Sequence, residues 1–240
     1  MIAQGADIID VGGESTRPGA APVSVEAELQ RVIPVIEALH RQHPQVMISV
    51  DTSKPEVMKA AVAAGASLIN DVRALTVPGA LEAAVATQAA VCLMHMQGQP
   101  SSMQVAPQYA NVTDEVAAFL RARMQACLSA GMSRDRLVID PGIGFGKTLE
   151  HNLTLLAQLP ALMELGVPLL VGVSRKSMIG ALLNRTVEQR LSGGVALATA
   201  SVLAGARIIR AHDVSETYDA VRIAHALLNA GYGKEHSKKN

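Results

Sequence analysis

The chain of 240 residues is 49% apolar and balances 21 Lys and Arg against 21 Asp and Glu, for a formal charge of zero. That length and apolar share predict one domain with a large core, of a size that suits an α/β barrel better than two small domains. The balanced charge removes any electrostatic case for nucleic-acid or membrane binding, although local clusters can still serve an anionic small molecule.

Met1 to Ala6 reads as the last turn of a helix closed by Gly5, so the chain is expected to begin in mid-element. A strand over 7–11 follows and ends in a Gly-rich polar loop, 12–19. Ser24 is predicted to cap a helix with Val25, Leu29, Val32, Ile33, Ile36 and Leu39 at helical spacing, bent at Pro34. The next strand, 46–50, ends on Asp51. Ser53 and Glu56 form a capping-box pattern for a helix with Pro55 in its first turn and Gly65 at its close. A short strand from Leu68 ends on Asn70 and Asp71, a weak helix covers 80–87, and a strand over 89–94 ends on His95.

After a polar loop, 100–111, Thr113 is expected to cap an amphipathic helix through Val116, Leu120, Met124 and Cys127. Residues 137–139 lead into Asp140 and a run of glycines. A helix over about 151–165, interrupted by Pro160, precedes the strand 169–173, which stops on Ser174-Arg175-Lys176-Ser177. A short helix and a long Gly/Ala-rich one, 189–204, come next. The last strand, 206–209, ends on Arg210-Ala211-His212-Asp213, and Ser215 is expected to cap the closing helix. Residues from about 234 to 240 read as a flexible tail.

Seven strands alternating with helices, each ending in a polar cluster, predict a parallel sheet closed as a TIM-type (β/α)8 barrel; an open sheet would concentrate its chemistry at one switch point. A closed barrel needs an eighth strand, which is expected upstream of Met1.

Asp51, Asn70 and Asp140 end strands that would open on one mouth, where two carboxylates and an amide suit a donor-rich planar heterocycle. Neither a His-x-x-x-His pattern nor a Cys pair supports zinc or iron. His95, between Met94 and Met96, reads as a wall residue. Cys92 and Cys127 read as reduced core thiols of a cytoplasmic protein. Residues 142–148 fall one residue short of a P-loop, with Pro141 where that motif requires glycine, and read as a loop whose backbone approaches a flat ligand. Arg17, Arg175, Lys176, Arg210 and His212 gather basic groups at strand ends, as an anionic ligand requires.

In chain order the strand ends are Ile9-Asp10-Val11-Gly12-Gly13-Glu14-Ser15-Thr16-Arg17-Pro18-Gly19, Ser49-Val50-Asp51-Thr52-Ser53-Lys54-Pro55, Ile69-Asn70-Asp71 and Leu93-Met94-His95-Met96-Gln97-Gly98. Asp140-Pro141-Gly142 through Gly146-Lys147, Val173-Ser174-Arg175-Lys176-Ser177 and Ile209-Arg210-Ala211-His212-Asp213 complete the series. It closely resembles the bacterial dihydropteroate synthase family, in family order and over every strand.

The resemblance implies condensation of a dihydropterin-methyl diphosphate with 4-aminobenzoate, releasing diphosphate, in folate synthesis. It implies that Asp51, Asn70, Asp140 and Lys176 hold the pterin, and that Thr16, Arg210 and His212 hold the diphosphate. Arg17, Pro18, Phe145, Lys176 and Ser177 would line the aminobenzoate site, with Lys176, Arg210 and His212 closest to the chemistry. It further implies Mg²⁺, inhibition by sulfonamides, and a homodimer, for which the helix 189–204 is the expected contact. The family's first strand and the following loop, which carries an Asn that helps bind the metal, have no counterpart in this chain, so no metal ligand is assigned. An N-terminally truncated, inactive or binding-only homologue and a folate-dependent methyltransferase of the related pterin-binding group remain as alternatives; the Ser-Thr-Arg-Pro and Ser-Arg-Lys-Ser loops argue against the latter.

Overall fold

The computed structural model describes residues 1–16, 19–98 and 103–233; Arg17, Pro18 and the expected tail lie outside them. Among the described residues seven strands alternate with helices. In order these are β1 (Ile8–Gly12), α1 (Val25–Gln42), β2 (Met47–Asp51), α2 (Pro55–Ala63), β3 (Leu68–Asp71), α3 (Ala80–Thr87), β4 (Ala90–Met94) and α4 (Val112–Ser129). There follow β5 (Leu137–Asp140), α5 (Leu149–Ala157), α6 (Leu159–Met163), β6 (Leu170–Gly172), α7 (Ser177–Leu183), α8 (Leu191–Leu203), β7 (Ile208–Arg210) and α9 (Val214–Asn229).

All pairings are parallel: β1 to β5 form one sheet in sequence order, β6 pairs with β7, and a bridge between Ile139 and Leu169 joins the two. The result is the seven-stranded arc of a TIM-type barrel. Among the described residues no ladder joins β7 to β1.

Strand alternation divides the apolar residues into two layers. Ile48, Val50, Ile69, Val91, Leu93, Leu137, Ile139 and Val171 belong to the large core that packs against the helices. Leu68, Cys92, Val138 and Leu170, with Ala90 and Ile208 beside them, form a smaller cluster that fills the barrel interior. Both cysteines are buried and free. The interior parity, continued two residues toward the strand C-termini, reaches Asn70 from Leu68, Asp140 from Val138 and Arg210 from Ile208. The sheet therefore aims these polar side chains into one mouth, above an apolar floor.

Several helix starts differ from the sequence pattern. α2 starts after Lys54, and Ser53 instead donates its hydroxyl to Asp71. Asp71 is fully buried and also accepts from the amides of Arg73 (2.8 Å) and Leu75 (2.7 Å). α4 is capped by Asn111, which accepts from the amides of Thr113 and Asp114, rather than by Thr113. α9 starts after Asp213 rather than at Ser215. The helix expected over 151–165 is two, α5 and α6, meeting at Gln158, with Pro160 in the first turn of the second. A reciprocal Thr148–His151 cap starts α5 earlier than expected. The Gly/Ala-rich helix begins at Leu191, because residues Val187–Gln189 form a separate 3-10 turn. The opening turn, Ile2–Gln4, is also 3-10 and is closed by Gly5 at φ 98°.

Candidate active site

Asp51, Asn70 and Asp140 are buried at the C-terminal ends of β2, β3 and β5. Burial raises the Asp51 carboxyl to about 7; the neighbouring Asp10 adds to the rise and Arg210 opposes it. Burial likewise lifts Asp140, against the Gly142 amide that donates to its Oδ1 at 2.7 Å and the positive charge of Lys176. One carboxylate oxygen of Asp140 is thus fixed by its own loop.

Arg210, half-exposed at the end of β7, reaches across the interval between β7 and β1. Its Nε donates to Asp10 Oδ2 at 2.6 Å and its Nη2 to Asp51 Oδ2 at 3.0 Å. Burial works against its charge, but the two carboxylates outweigh burial and hold its pKa above the usual value. Asp10 Oδ2 also accepts from Asn70 Nδ2 at 3.1 Å. Lys176 occupies the residue position just before α7 and lies with its Nζ 4.2 Å from the Phe145 ring centroid, a cation–π distance. Burial pulls Lys176 down to about 8, partly countered by Asp140. His212 is tied to the end of β6: its amide donates to Ser174 Oγ at 3.2 Å and its Nδ1 lies 3.1 Å from the same oxygen. Ser177 is the exposed first residue of α7.

Arg175 braces its own loop. Its φ of 57° is unusual for a non-glycine residue, and its guanidinium pairs with Asp213 while its carbonyl accepts from Arg190 at 3.1 Å. The glycines of 142–146 serve the chain's own packing before any ligand. A Cβ on Gly142 would meet the His95 carbonyl oxygen, and one on Gly146 would meet the backbone of Gln97. Lys147 closes this loop from within, with Nζ 3.0 Å from the carbonyl oxygens of Gly142 and Phe145 and from His95 Nδ1. Burial lowers Lys147 to about 7 and His95 to about 3, and the positive charge of Lys147 adds to the fall at His95. The reading of His95 as a wall residue fits this enclosure, where Phe119 meets the imidazole edge to face at 5.0 Å.

Thr16 is half-buried in the loop after β1. The stem of that loop is held by Glu14, which accepts from the Val23 amide at 3.1 Å and pairs with Lys54; Lys54 also pairs with the fully buried Glu28. Neither this triad nor Asp10 stood out in the sequence. Asp10 carried a parity signal, since it sits two residues before the end of β1 on its interior face.

A family model described as pterin binding enzyme matches residues 1–212. Dihydropteroate synthase of Escherichia coli strain K12 is 56% identical over 236 residues, covering 98% of this chain and 83% of the relative. The chain belongs to the dihydropteroate synthase family. The Yersinia pestis dihydropteroate synthase solved with a sulfonamide drug superposes with a TM-score of 0.93 at 52% identity, covering 95% of this chain and 82% of that one. The Xanthomonas albilineans enzyme solved with 4-aminobenzoic acid gives 0.90 at 52% identity, covering 95% and 81%. The fold is therefore that of a pterin-binding TIM barrel, and the chain is a transferase by family. No helix among the described residues is long and apolar enough to cross a membrane.

Proposed function

We propose that this chain joins (7,8-dihydropterin-6-yl)methyl diphosphate to 4-aminobenzoate, with Asp51, Asn70, Asp140 and Lys176 holding the pterin and Thr16, Arg210 and His212 the diphosphate. The observation that carries this assignment of roles is the division of one barrel mouth. Buried acceptors and an amide stand at β2, β3 and β5, and cationic or polar donors stand at β6 and β7.

The aminopyrimidinone edge of a pterin presents adjacent N–H donors, which the Asp140 carboxylate can accept as a pair. The bond from the methylene carbon to the bridging oxygen breaks, and its electron pair leaves with diphosphate. Arg210 and His212 meet the charge that develops there. The arylamine nitrogen forms the new carbon–nitrogen bond with its lone pair and releases one proton to diphosphate or water. An arylamine is already neutral at pH 7, so no strong base is required and catalysis is mainly positioning. Phe145, Lys176 and Ser177, with Arg17 and Pro18, would receive the aminobenzoate. The related structures solved with a sulfonamide drug and with 4-aminobenzoic acid support an aminobenzoate substrate.

Magnesium is proposed from the resemblance alone. Among the described residues no group of three His, Cys, Asp or Glu side chains is placed to hold a metal ion, and the steps above are carried by the chain's own residues. We also propose a cytoplasmic homodimer. Ser192, Ala196 and Ala200 form an exposed stripe of small residues along α8, with Leu182, Leu183, Val187 and Leu191 exposed nearby in the chain.

The test of the function is formation of pteroate from the pterin diphosphate and 4-aminobenzoate with Mg²⁺ present. Folded protein that binds a pterin in calorimetry yet yields no product would reduce the reading to a pterin-binding protein.

A further inference from the structure

Asp10 has no task in the reaction as assigned, yet it is the hub of the site's polar contacts. It projects from β1 into the barrel interior, 17% exposed, and its Oδ2 accepts both Arg210 Nε at 2.6 Å and Asn70 Nδ2 at 3.1 Å. Its Oδ1 is buried without a hydrogen-bond partner among the described residues. A carboxylate with one oxygen out of water and unbonded is unfavourable in itself. Its contribution must come through the groups it holds.

Arginine presents five N–H donors in a rigid planar fork. Here two separate carboxylates grip two different nitrogens of the fork, Asp10 at Nε and Asp51 at Nη2. Two grips on one plane fix its rotation, and neither carboxylate bonds Nη1. A single grip by Asp51 would leave the guanidinium free to pivot about that contact. The same Asp10 oxygen sets the Asn70 amide, with Nδ2 turned toward β1, so Oδ1 is the end left to accept from a ligand.

We propose that Asp10 is a positioning residue of the condensation, holding Arg210 ready for the departing diphosphate and orienting Asn70 toward the pterin through one shared carboxylate oxygen. This rests on Arg210 receiving the diphosphate and Asn70 the pterin.

The test is Asp10→Asn, read by calorimetry with inorganic diphosphate and by steady-state kinetics, alone and combined with Arg210→Met. The amide keeps the shape but removes the charge that both donors share. Diphosphate affinity should fall about tenfold and KM for the pterin diphosphate rise about tenfold, while KM for 4-aminobenzoate stays within about twofold. In the Arg210→Met background the same change should alter diphosphate affinity by less than about twofold, because Asp10 acts on it through the arginine. Unchanged diphosphate affinity in Asp10→Asn, equal effects on both substrates, independent effects of the two substitutions, or a wild-type chain that does not bind diphosphate would each overturn the proposal.

Should Asp10→Asn fail to fold, Asp10→Glu keeps the charge and moves it by one methylene; tenfold weaker diphosphate binding supports the proposal and wild-type binding refutes it. A wild-type chain that binds diphosphate but makes no pteroate would refute the function and leave Asp10 to be judged on binding alone.

Discussion

Asp51→Asn should separate what the site does for stability from what it does for binding. In the folded protein burial raises Asp51 from 3.8 to about 7, with Asp10 adding to the rise and Arg210 opposing it. A raised carboxyl means that the folded state binds the proton more tightly than the unfolded chain, so stability declines as pH rises from about 4 through 7. Asparagine carries no such titration and keeps an oxygen for Arg210 Nη2. Between pH 5 and pH 8 the shift corresponds to on the order of 3 kcal/mol of stability that the wild type loses and the variant retains. Urea unfolding of both proteins at the two pH values, extrapolated linearly to water, measures this difference. The variant's advantage should be larger at pH 8 by that amount, while its pterin affinity falls at least about tenfold through loss of a charged acceptor. Stability curves that run parallel from pH 5 to pH 8 would refute the account of Asp51 as a strained buried acid.

Lys176→Ala removes the cation next to Asp140 and over Phe145; kcat/KM should fall about 100-fold with weaker pterin binding, and an unchanged kcat/KM in steady-state assays would remove Lys176 from the site. Gly142→Ala places a methyl against the His95 carbonyl at a φ of +66°, so thermal or urea unfolding should show a loss of at least about 2 kcal/mol. Light scattering at micromolar concentration should return twice the chain mass; a monomer would contradict the α8 contact.

The strands were legible because a buried parallel strand writes its own signature, a short apolar run that stops where side chains leave the core. Observed ends mostly differ from the sequence reading by one or two residues, as with β1 at Ile8–Gly12 against 7–11. Caps were less legible because several hydroxyl or carboxyl residues precede each helix and local pattern does not rank them. Asp71, buried beneath the mouth, takes Ser53, and Arg175 engages Asp213, contacts that only the fold supplies. Glu28 illustrates the same limit. On an amphipathic helix a glutamate reads as solvent-facing, yet Lys54 from the next βα unit draws it to full burial.

Asp10 is hidden for a different reason: it lies inside its strand rather than at the strand end, where polar residues mark the mouth. Interior parity marks it as clearly as it marks Asp140. In β1 an interior position below the mouth is occupied by a carboxylate, whereas in β3, β5 and β7 the positions two residues before Asn70, Asp140 and Arg210 are Leu68, Val138 and Ile208, which form the apolar floor. One acid set into that floor reaches across the interval between β1 and β7, which no ladder bridges among the described residues, and the Asp10–Arg210 pair spans it. The contact that would orient the diphosphate group is then also the side-chain link between the first and last strands of the arc. Stability and function are coupled at this seam, and substitutions there should be judged by unfolding and by ligand binding together.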